Sequence, residues 1–387
     1  MKFIVTVMVR DEVDIIALMV EHHLAQGADL IIATDNGSVD GTAEVLQRYA
    51  DLGVLELHHD PVFRKQQHAV VTGMARRAFT DHDADWVVNA DADEFWVPCD
   101  RSLTLRSALE ATPTSLDAFT VPVTNLVGPP AMRGSGVDRL LWRDQRSPEQ
   151  LQAVGIFAQP TGDAIHRGDP AIVVSQGNHF VSLASNGQPD DAFALEVLHL
   201  PWRSWLQYER RVVNTGRSYE ANPNLRPSKN HHVMADYRRH LAGRLQYAFL
   251  LRLPLEKDLV GGDADDGFVY DAWLRDHLHA LAGDALIPDL VARCLDASLD
   301  EPIDPAEHER DANVGRLLIV LERERDEALE PLRIREEWLD VVQRTVRAVK
   351  RRTIRVVKRR TVGAIKRRLR SGVRAGVQAD GSPEAME

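Results

Sequence analysis

The chain has 387 residues, 44% of them hydrophobic, which is enough for one large or two medium domains with a substantial core. The formal net charge is −11, yet residues 344–370 contain 13 Lys/Arg and no Asp/Glu, so the remaining body is strongly acidic and nucleic-acid binding is not expected. Two cysteines, Cys99 and Cys294, exclude a disulfide framework and a zinc cluster, and favour a reducing compartment. No run of about 18 apolar residues occurs, so no membrane-spanning helix is expected.

Residues 1–126 alternate between patterns typical of strands and of helices. The first apolar run is short and is broken by Arg10 and Asp11, which indicates a core strand rather than a signal peptide. Short apolar strands separated by amphipathic helices predict an α/β fold with a parallel sheet covered on both faces, and ligands at the carboxyl ends of the strands. The predicted strands cover residues 3–9, 30–34, 54–58, 86–89 and 118–126, and the predicted helices cover 12–27, 40–50 and 64–79.

Two carboxylates follow the fourth predicted strand. Asp91 and Asp93 flank Ala92, so an extended backbone would present both side chains on the same side at the carboxyl edge of the sheet. Hard oxygen ligands of this kind suit Mg²⁺ or Mn²⁺, which bridge protein carboxylates to substrate phosphates. A polar surface loop would carry the same short motif, so its meaning depends on the rest of the chain.

Several motifs, in this order, resemble the GT-A glycosyltransferases of the family 2 type. They are Thr6-Val7-Met8-Val9-Arg10-Asp11-Glu12, then Asp35-Asn36-Gly37-Ser38-Val39-Asp40-Gly41-Thr42, then Asp91-Ala92-Asp93-Glu94-Phe95, and His199-Leu200-Pro201-Trp202-Arg203-Ser204, which matches the H-x-P-x-R-S of one branch. Asp11 stands where that family usually has Asn. The resemblance covers roughly residues 1–220. It implies a GT-A fold with a mostly parallel sheet flanked by helices.

The resemblance also implies roles for individual residues. Thr6, Glu12 and Asp35 would hold the nucleoside, while Arg64 and Gln67 would approach the diphosphate. Arg64 or Arg203 would assist in stabilising the charge of the departing diphosphate. A Mn²⁺ or Mg²⁺ ion would be bound by Asp91, which also contacts the nucleotide, by Asp93 and by His199. Each role has a structural alternative: Asp35 caps a turn, Glu12 begins a helix, Arg64 and Gln67 belong to a solvated face, and His199 is a core residue. His179 and the pair His231-His232 are alternative ligands.

The expected activity is metal-dependent transfer of a hexose-like sugar from a nucleotide sugar to a glycan or lipid-linked glycan acceptor, as in polysaccharide biosynthesis. An inverting reaction would need a carboxylate general base, for which Glu94, Asp138 and Glu196 are equal candidates. Retention and inversion are not distinguished. A nucleotidyltransferase remains an alternative, although Met8-Val9-Arg10-Asp11 replaces the usual glycine-rich phosphate loop. A non-catalytic carbohydrate-binding module, which would need neither carboxylate, is another.

The predicted organisation is a glycosyltransferase domain at 1–220, a helical extension at 221–340, a basic amphipathic helix at 341–371 and a disordered tail at 372–387. Helices are expected at 240–253 and 315–332, and strand-like alternation at 172–183 and 193–200. The basic segment repeats an eight-residue pattern from Thr345 and is expected to contact an anionic membrane surface. The alternatives are a solvated helix, a disordered tail or contact with the acidic body. The expected location is the cytoplasm, with the inner face of the membrane as a peripheral site.

Overall fold

The computed structural model describes residues 1–63, 66–222, 232–259 and 267–330. Residues 1–319 form one compact unit, and residues 320–387 form a second, of which the described part, 320–330, is helical. The predicted basic helix and tail, at 341–371 and 372–387, lie outside the described residues, and the predicted boundary at residue 220 stays a prediction. In the part of the chain that is described, no helix is both long enough and apolar enough to cross a bilayer.

The strands of the first unit form two sheets. In chain order they are β1 (Phe3–Val9), β2 (Leu30–Asp35), β3 (Leu55–His59), β4 (Trp86–Ala90), β5 (Glu94–Pro98), β6 (Ala118–Val121), β7 (Val123–Val127), β8 (Trp142–Asp144), β9 (Asp163–Arg167), β10 (Leu195–His199) and β11 (Phe268–Tyr270). The six-stranded sheet has the order β3-β2-β1-β4-β9-β6, with β1 to β4 parallel and β9 antiparallel to both of its neighbours. The five-stranded sheet has the order β11-β8-β7-β10-β5.

Helices cover the sheets and follow the strands. They are α1 (Ile16–Ala25), α2 (Thr42–Asp51), α3 (Gln67–Thr80), α4 (Leu105–Ala111), α5 (Pro148–Ala153), α6 (Trp205–Glu220), α7 (His232–Leu241), α8 (Leu245–Arg252), α9 (Glu256–Leu259), α10 (Trp273–Leu281) and α11 (Pro288–Cys294). Residues 305–319 are also helical. The first sheet lies between two cores, because alternate residues of β1 point to opposite faces. Phe3, Val5 and Val7 pack in the core that contains α1, and Ile4 packs in the core that contains α3. The predicted α/β class is confirmed.

Two predicted elements are divided in the structure. The predicted strand at 118–126 is split at Pro122 into β6 and β7, which belong to different sheets. Proline has no N–H to donate to a sheet, so the chain changes sheets there. The predicted helix at 240–253 is likewise two helices, because Gly243 adopts a left-handed backbone, with φ of 67°, between α7 and α8.

The segment at 172–183 was predicted to alternate like a strand, but it forms only an isolated bridge between Val174 and Val181. Its turn contains Asn178 with φ of 62°, a left-handed conformation that asparagine tolerates better than most residues. Strand β5, which begins at Glu94 within the acidic motif, was not among the predicted strands. Together, β5 and this turn surround the acidic motif with ordered backbone.

Candidate active site

The acidic motif lies at an edge of the first sheet where several strands end. Strands β1, β2 and β4 pair in parallel, so their carboxyl ends meet there. An open cleft of about 200 Å³ lies at this edge. Its lining combines the residues after these strands with one side of α6: Met8, Val9, Arg10, Glu12, Asn36, Phe63, Gln66, Gln67, Asp91, Ala92, Asp93, Arg211, Asn214, Thr215 and Ser218.

Asp91 lies in the turn that joins β4 to β5. Its backbone N–H donates to Oε2 of Glu94 at 2.9 Å, which fixes the turn. Its Oδ1 accepts from Nε2 of Gln67 and from Nδ2 of Asn178, both at 3.2 Å. Gln67, expected to approach the diphosphate, thus donates to the acidic motif, and its contact with a nucleotide stays a prediction.

Asp93 is buried, and three basic side chains face its carboxylate. Oδ2 lies 3.0 Å from Nη1 of Arg211, 3.4 Å from Nη1 of Arg203 and 3.5 Å from Nε2 of His199. Burial alone would raise the pKa of Asp93, but the charges of His199, Arg211 and Arg203 outweigh it and hold that pKa well below its usual range. Asp93 is therefore ionised at neutral pH.

His199 ends β10, where the strand register places it beside Glu94 on one side and Asn125 on the other. Its Nδ1 lies 2.9 Å from Oδ1 of Asn125, so Nδ1 carries the donated proton and Nε2 is directed at Asp93. Asp93 and His199 are thus adjacent, and they supply one oxygen and one nitrogen of the expected cation ligands. The third expected ligand, Asp91, is turned toward amide groups instead. Within the described residues, no three His, Cys, Asp or Glu side chains are grouped to hold a metal ion.

Arg203 connects Asp93 to the loop after β1. Its guanidinium is fully buried and pairs with Glu12, and its Nε lies 3.0 Å from Oδ2 of Asp14. Three carboxylates therefore share one guanidinium. Burial raises the pKa of Glu12 to about 7, and the attraction of Arg203 only partly offsets that rise. Glu12 lines the cleft, and its contact with the nucleoside stays a prediction.

The remaining predicted nucleotide contacts differ in their placement. Thr6 is 1% exposed and its hydroxyl donates to Oδ1 of Asn89 at 2.7 Å. Asp35 is also buried, and its carboxylate accepts from the backbone N–H of Gly37 at 3.1 Å. Neither of these two residues is part of the cleft lining given above. Arg64 lies outside the described residues, so its role stays a prediction.

The three candidate bases also lie apart from the cleft lining. Burial, with the nearby charges of Asp163 and Asp91, raises the pKa of Glu94 well above its usual value. Asp138 pairs with Nε2 of His279 at 2.8 Å. Glu196 is held by Arg101 and Arg143 on the face of β10 opposite to His199. The geometry does not favour one of the three over the others.

The alternative histidine ligands are not beside Asp93. Nδ1 of His179 lies 2.8 Å from Oδ1 of the buried Asp163, an interaction that raises the pKa of His179. His231 and the side chain of His232 lie outside the described residues.

Sequence reasoning missed Arg211, Asn214 and Asn125. Arg211 and Asn214 lie on the same side of α6, but local patterning offers two consecutive arginines, Arg210 and Arg211, with no sign of which one faces the cleft. Asn125 could have been found only by its strand pairing with His199. Asp11, the departure from the family pattern, accepts from the backbone N–H of Val39 at 2.8 Å and from Asn214 at 3.0 Å, so it joins the loop after β2 to α6.

Residues 4–116 match glycosyltransferase family 92. The matched region runs from β1 to beyond α4 and includes Asp91 and Asp93, and it supports the expected class of enzyme. The match is to family 92 rather than to the family 2 type that the motifs resemble. No curated protein sequence matches the chain.

Solved structures with a similar arrangement are only distantly related. S. aureus TarS, residues 1–349, is 12% identical, with 77% of this chain and 91% of that chain covered and a TM-score of 0.33. The same fragment in complex with UDP-GlcNAc is 13% identical, with 84% and 92% covered and a TM-score of 0.30. Glucosyl-3-phosphoglycerate synthase from Mycobacterium tuberculosis, in complex with Mn²⁺, UDP-glucose and phosphoglyceric acid, is 17% identical, with 43% and 56% covered and a TM-score of 0.24. Likeness at this level carries no argument about the chemistry of this chain.

Proposed function

We propose that this chain is a glycosyltransferase that moves a sugar from a nucleotide-sugar donor to a hydroxyl of a glycan or lipid-linked glycan. The observation that carries the proposal is the cleft at the carboxyl edge of the parallel sheet, where ionised Asp93 lies beside the guanidinium of Arg211 and close to the imidazole of His199. The match of residues 4–116 to a glycosyltransferase family supports it.

The chemistry requires negative charge to be stabilised. When the bond between the sugar and the phosphate breaks, charge develops on the departing nucleoside diphosphate. A Mn²⁺ or Mg²⁺ ion bound by Asp93 and His199, with Asp91 once it is released from Gln67, would act as a Lewis acid at that diphosphate. Asn125 orients the imidazole of His199 for this role through its bond to Nδ1.

Two polar side chains of the cleft lining, Arg10 and Asn36, are the groups that we assign to the nucleoside. The guanidinium of Arg10 lies over the ring of Phe63, 4.4 Å from its centroid, a cation–π contact that holds both side chains in the lining. Asn36 is fixed beside them by donating to the carbonyl of Asp60 at 2.9 Å. Planar groups of this kind suit a nucleotide base, while contacts from Thr6 and Asp35 stay predictions.

The proposal is tested by measuring thermal stability with a panel of nucleoside diphosphates, each with and without Mn²⁺. We expect one nucleoside diphosphate to stabilise the protein more strongly with Mn²⁺ than without it, and with Mn²⁺ by about 2.7 kcal/mol when the nucleoside diphosphate is at about 100 times its Kd. Asp93→Asn should abolish that stabilisation, and Asp190→Asn, which changes an exposed aspartate, should retain it.

Two results would contradict the proposal. The first is that no nucleoside diphosphate stabilises the wild-type protein under either condition. The second is that Asp93→Ala loses cation binding yet retains the full biological role of the protein, which would favour a non-catalytic carbohydrate-binding module.

We also propose that residues 344–370 bind an anionic membrane surface. Thirteen Lys/Arg without a single Asp/Glu support this, since each basic residue near such a surface contributes about 1 kcal/mol. Co-sedimentation with anionic liposomes should be lost in a version truncated after Glu336. Equal pelleting of the full chain and the truncated chain would contradict it.

A further inference from the structure

The diphosphate of the proposed donor needs a positively charged partner in the cleft. Sequence reasoning offered Arg64 and Arg203 for this task, but Arg64 lies outside the described residues. Arg203 is fully buried, and its guanidinium is committed to Glu12, Asp14 and Asp93. A guanidinium enclosed by three carboxylates is not free to meet a ligand in the cleft.

Arg211 occupies a different position. It lies on α6 and, together with Asn214, Thr215 and Ser218, forms the side of that helix that lines the cleft, at the spacing expected for one helical face. Its side chain is 28% exposed, and its Nη1 lies 3.0 Å from Oδ2 of Asp93. Arg211 therefore borders both the buried aspartate and the open space of the cleft.

The charge of the cleft lining makes this position important. Three carboxylates, those of Glu12, Asp91 and Asp93, stand against the two guanidiniums of Arg10 and Arg211. Arg10 is already engaged by the carbonyl of Asn36 and by the ring of Phe63. A diphosphate that enters a lining with more carboxylates than guanidiniums needs a cationic group that approaches it directly, and Arg211 lies next to the acidic motif.

We propose that Arg211 binds the diphosphate of the donor and that Asp93 positions its guanidinium before the ligand arrives. This inference rests on the proposed function. A guanidinium binds phosphate oxygens through two parallel N–H groups, and a side chain that is already oriented loses little conformational entropy when it binds. In the transfer reaction the same group stabilises the charge that develops on the leaving diphosphate.

The chain offers a matched control for this role. Arg210 precedes Arg211 on α6, is 37% exposed and pairs with Asp40 at 3.3 Å, and it is not among the residues that line the cleft. Replacing either arginine by glutamine removes one positive charge from the same turn of the same helix. A difference between the two variants therefore reports the position of the side chain rather than the net charge of the protein.

The experiment measures the Kd of inorganic pyrophosphate by titration calorimetry, in EDTA and at low ionic strength. Pyrophosphate is used because it reports on the diphosphate position without knowledge of the base, and EDTA removes any contribution of a divalent cation. We expect Arg211→Gln to weaken pyrophosphate binding roughly tenfold or more, because a hydrogen bond to a charged group usually contributes about that much. Arg211→Lys should restore part of the affinity, and Arg210→Gln should stay within about twofold of the wild type.

The outcomes separate this inference from the proposed function. Equal pyrophosphate affinity in wild type and Arg211→Gln, or an equal loss in Arg211→Gln and Arg210→Gln, would overturn the role of Arg211 and leave glycosyl transfer standing. Failure of the wild type to bind pyrophosphate in EDTA, while a nucleoside diphosphate binds with Mn²⁺, would likewise overturn only the role of Arg211. Failure to bind either ligand would overturn both. Arg211→Lys retains the charge beside Asp93 and replaces Arg211→Gln as the test should that variant not fold. A pyrophosphate affinity below that of the wild type then supports the role of Arg211, and an equal affinity overturns it.

Discussion

Two buried aspartates near α6 are both neutralised by arginines, but they face different surroundings. Asp236, on α7, lies 2.7 Å from Nη1 of Arg239 and 2.7 Å from Nη1 of Arg252, and it accepts the hydroxyl of Tyr208. Asp93, beyond β4, has Arg203, Arg211 and His199. Burial would raise the pKa of Asp236 too, but Arg252 and its other partners hold it well below the usual range.

The difference lies in the exposure of the partners. The two arginines that pair with Asp236 are largely buried: the side chain of Arg252 is 4% exposed and that of Arg239 is 11% exposed. Among the partners of Asp93, Arg211 is 28% exposed and opens onto the cleft. The same pairing of charges therefore stabilises the fold where every partner is enclosed, and forms a candidate binding site where one partner reaches solvent.

The largest expected effect is on the closed network. Arg252→Met leaves the carboxylate of Asp236 with one guanidinium fewer in a buried setting, which should lower the free energy of unfolding by about 3–5 kcal/mol. Arg211→Met removes a partly exposed ion pair and should cost less than about 1 kcal/mol. Urea unfolding of both variants measures the contrast. Similar losses in the two variants would show that exposure of the partner does not separate these networks.

The next effect is a fall in stability with rising pH, which we expect from the Asp93 network and not from the Asp236 network. Burial raises the pKa of Glu12 from 4.5 to about 7. The attraction of Arg203, which is shared with two other carboxylates, only partly offsets that rise. The native state therefore retains a proton that the unfolded chain releases, and stability falls as the pH rises from about 4.5 to about 7. Asp236, with a lowered pKa, stabilises the fold throughout this window and loses that effect only in acid.

Glu12→Gln should remove this fall in stability. We expect the wild type to lose about 1–3 kcal/mol more than the variant between about pH 5 and about pH 8, measured by urea unfolding. Glu44→Gln, which changes an exposed glutamate of α2, is the control and should keep the wild-type slope. An unchanged slope in Glu12→Gln would show that Arg203 keeps Glu12 ionised in the folded protein.

The smallest effect concerns the orientation of His199. Asn125→Ala removes the partner that fixes the imidazole, so we expect the affinity for Mn²⁺, measured by electron paramagnetic resonance with a nucleoside diphosphate present, to fall roughly tenfold. Asn186→Ala, on an exposed turn, should leave it unchanged. Equal affinities in the two variants would remove His199 from the proposed cation site.

Sequence patterns predicted the four parallel strands of the first sheet, but not β9, because each pattern spans only a few residues. Alternation of apolar runs and amphipathic stretches gave β1 to β4 and their helices, and parallel pairing then placed Glu12 and Asp93 at one edge. Predictions failed where a single backbone feature mattered, as at Pro122 and Gly243, which divide a strand and a helix that apolar patterning alone joins.

The candidate site was predicted only in part. His199 was expected near Asp93 and lies 3.5 Å from it, although its role as a ligand stays a prediction. Asp35 was expected at the nucleoside, and this stays a prediction; in the structure its carboxylate accepts from the backbone N–H of Gly37 in its own loop. Arg203 was expected to assist at the diphosphate, and the structure buries it completely. Local sequence gives the residue types, but it does not determine how deeply each side chain is buried.

By itself the sequence determined the α/β class, the edge of the sheet where polar residues gather and the presence of two aspartates there, because strand and helix preferences act over short distances along the chain. Only the tertiary structure decided that Arg203 is enclosed and that Arg211 faces the cleft. Both arginines approach Asp93 from a distant part of the chain, and which of them remains accessible depends on how α6 packs beside the sheet. Burial and charge pairing between distant residues are properties of the folded molecule.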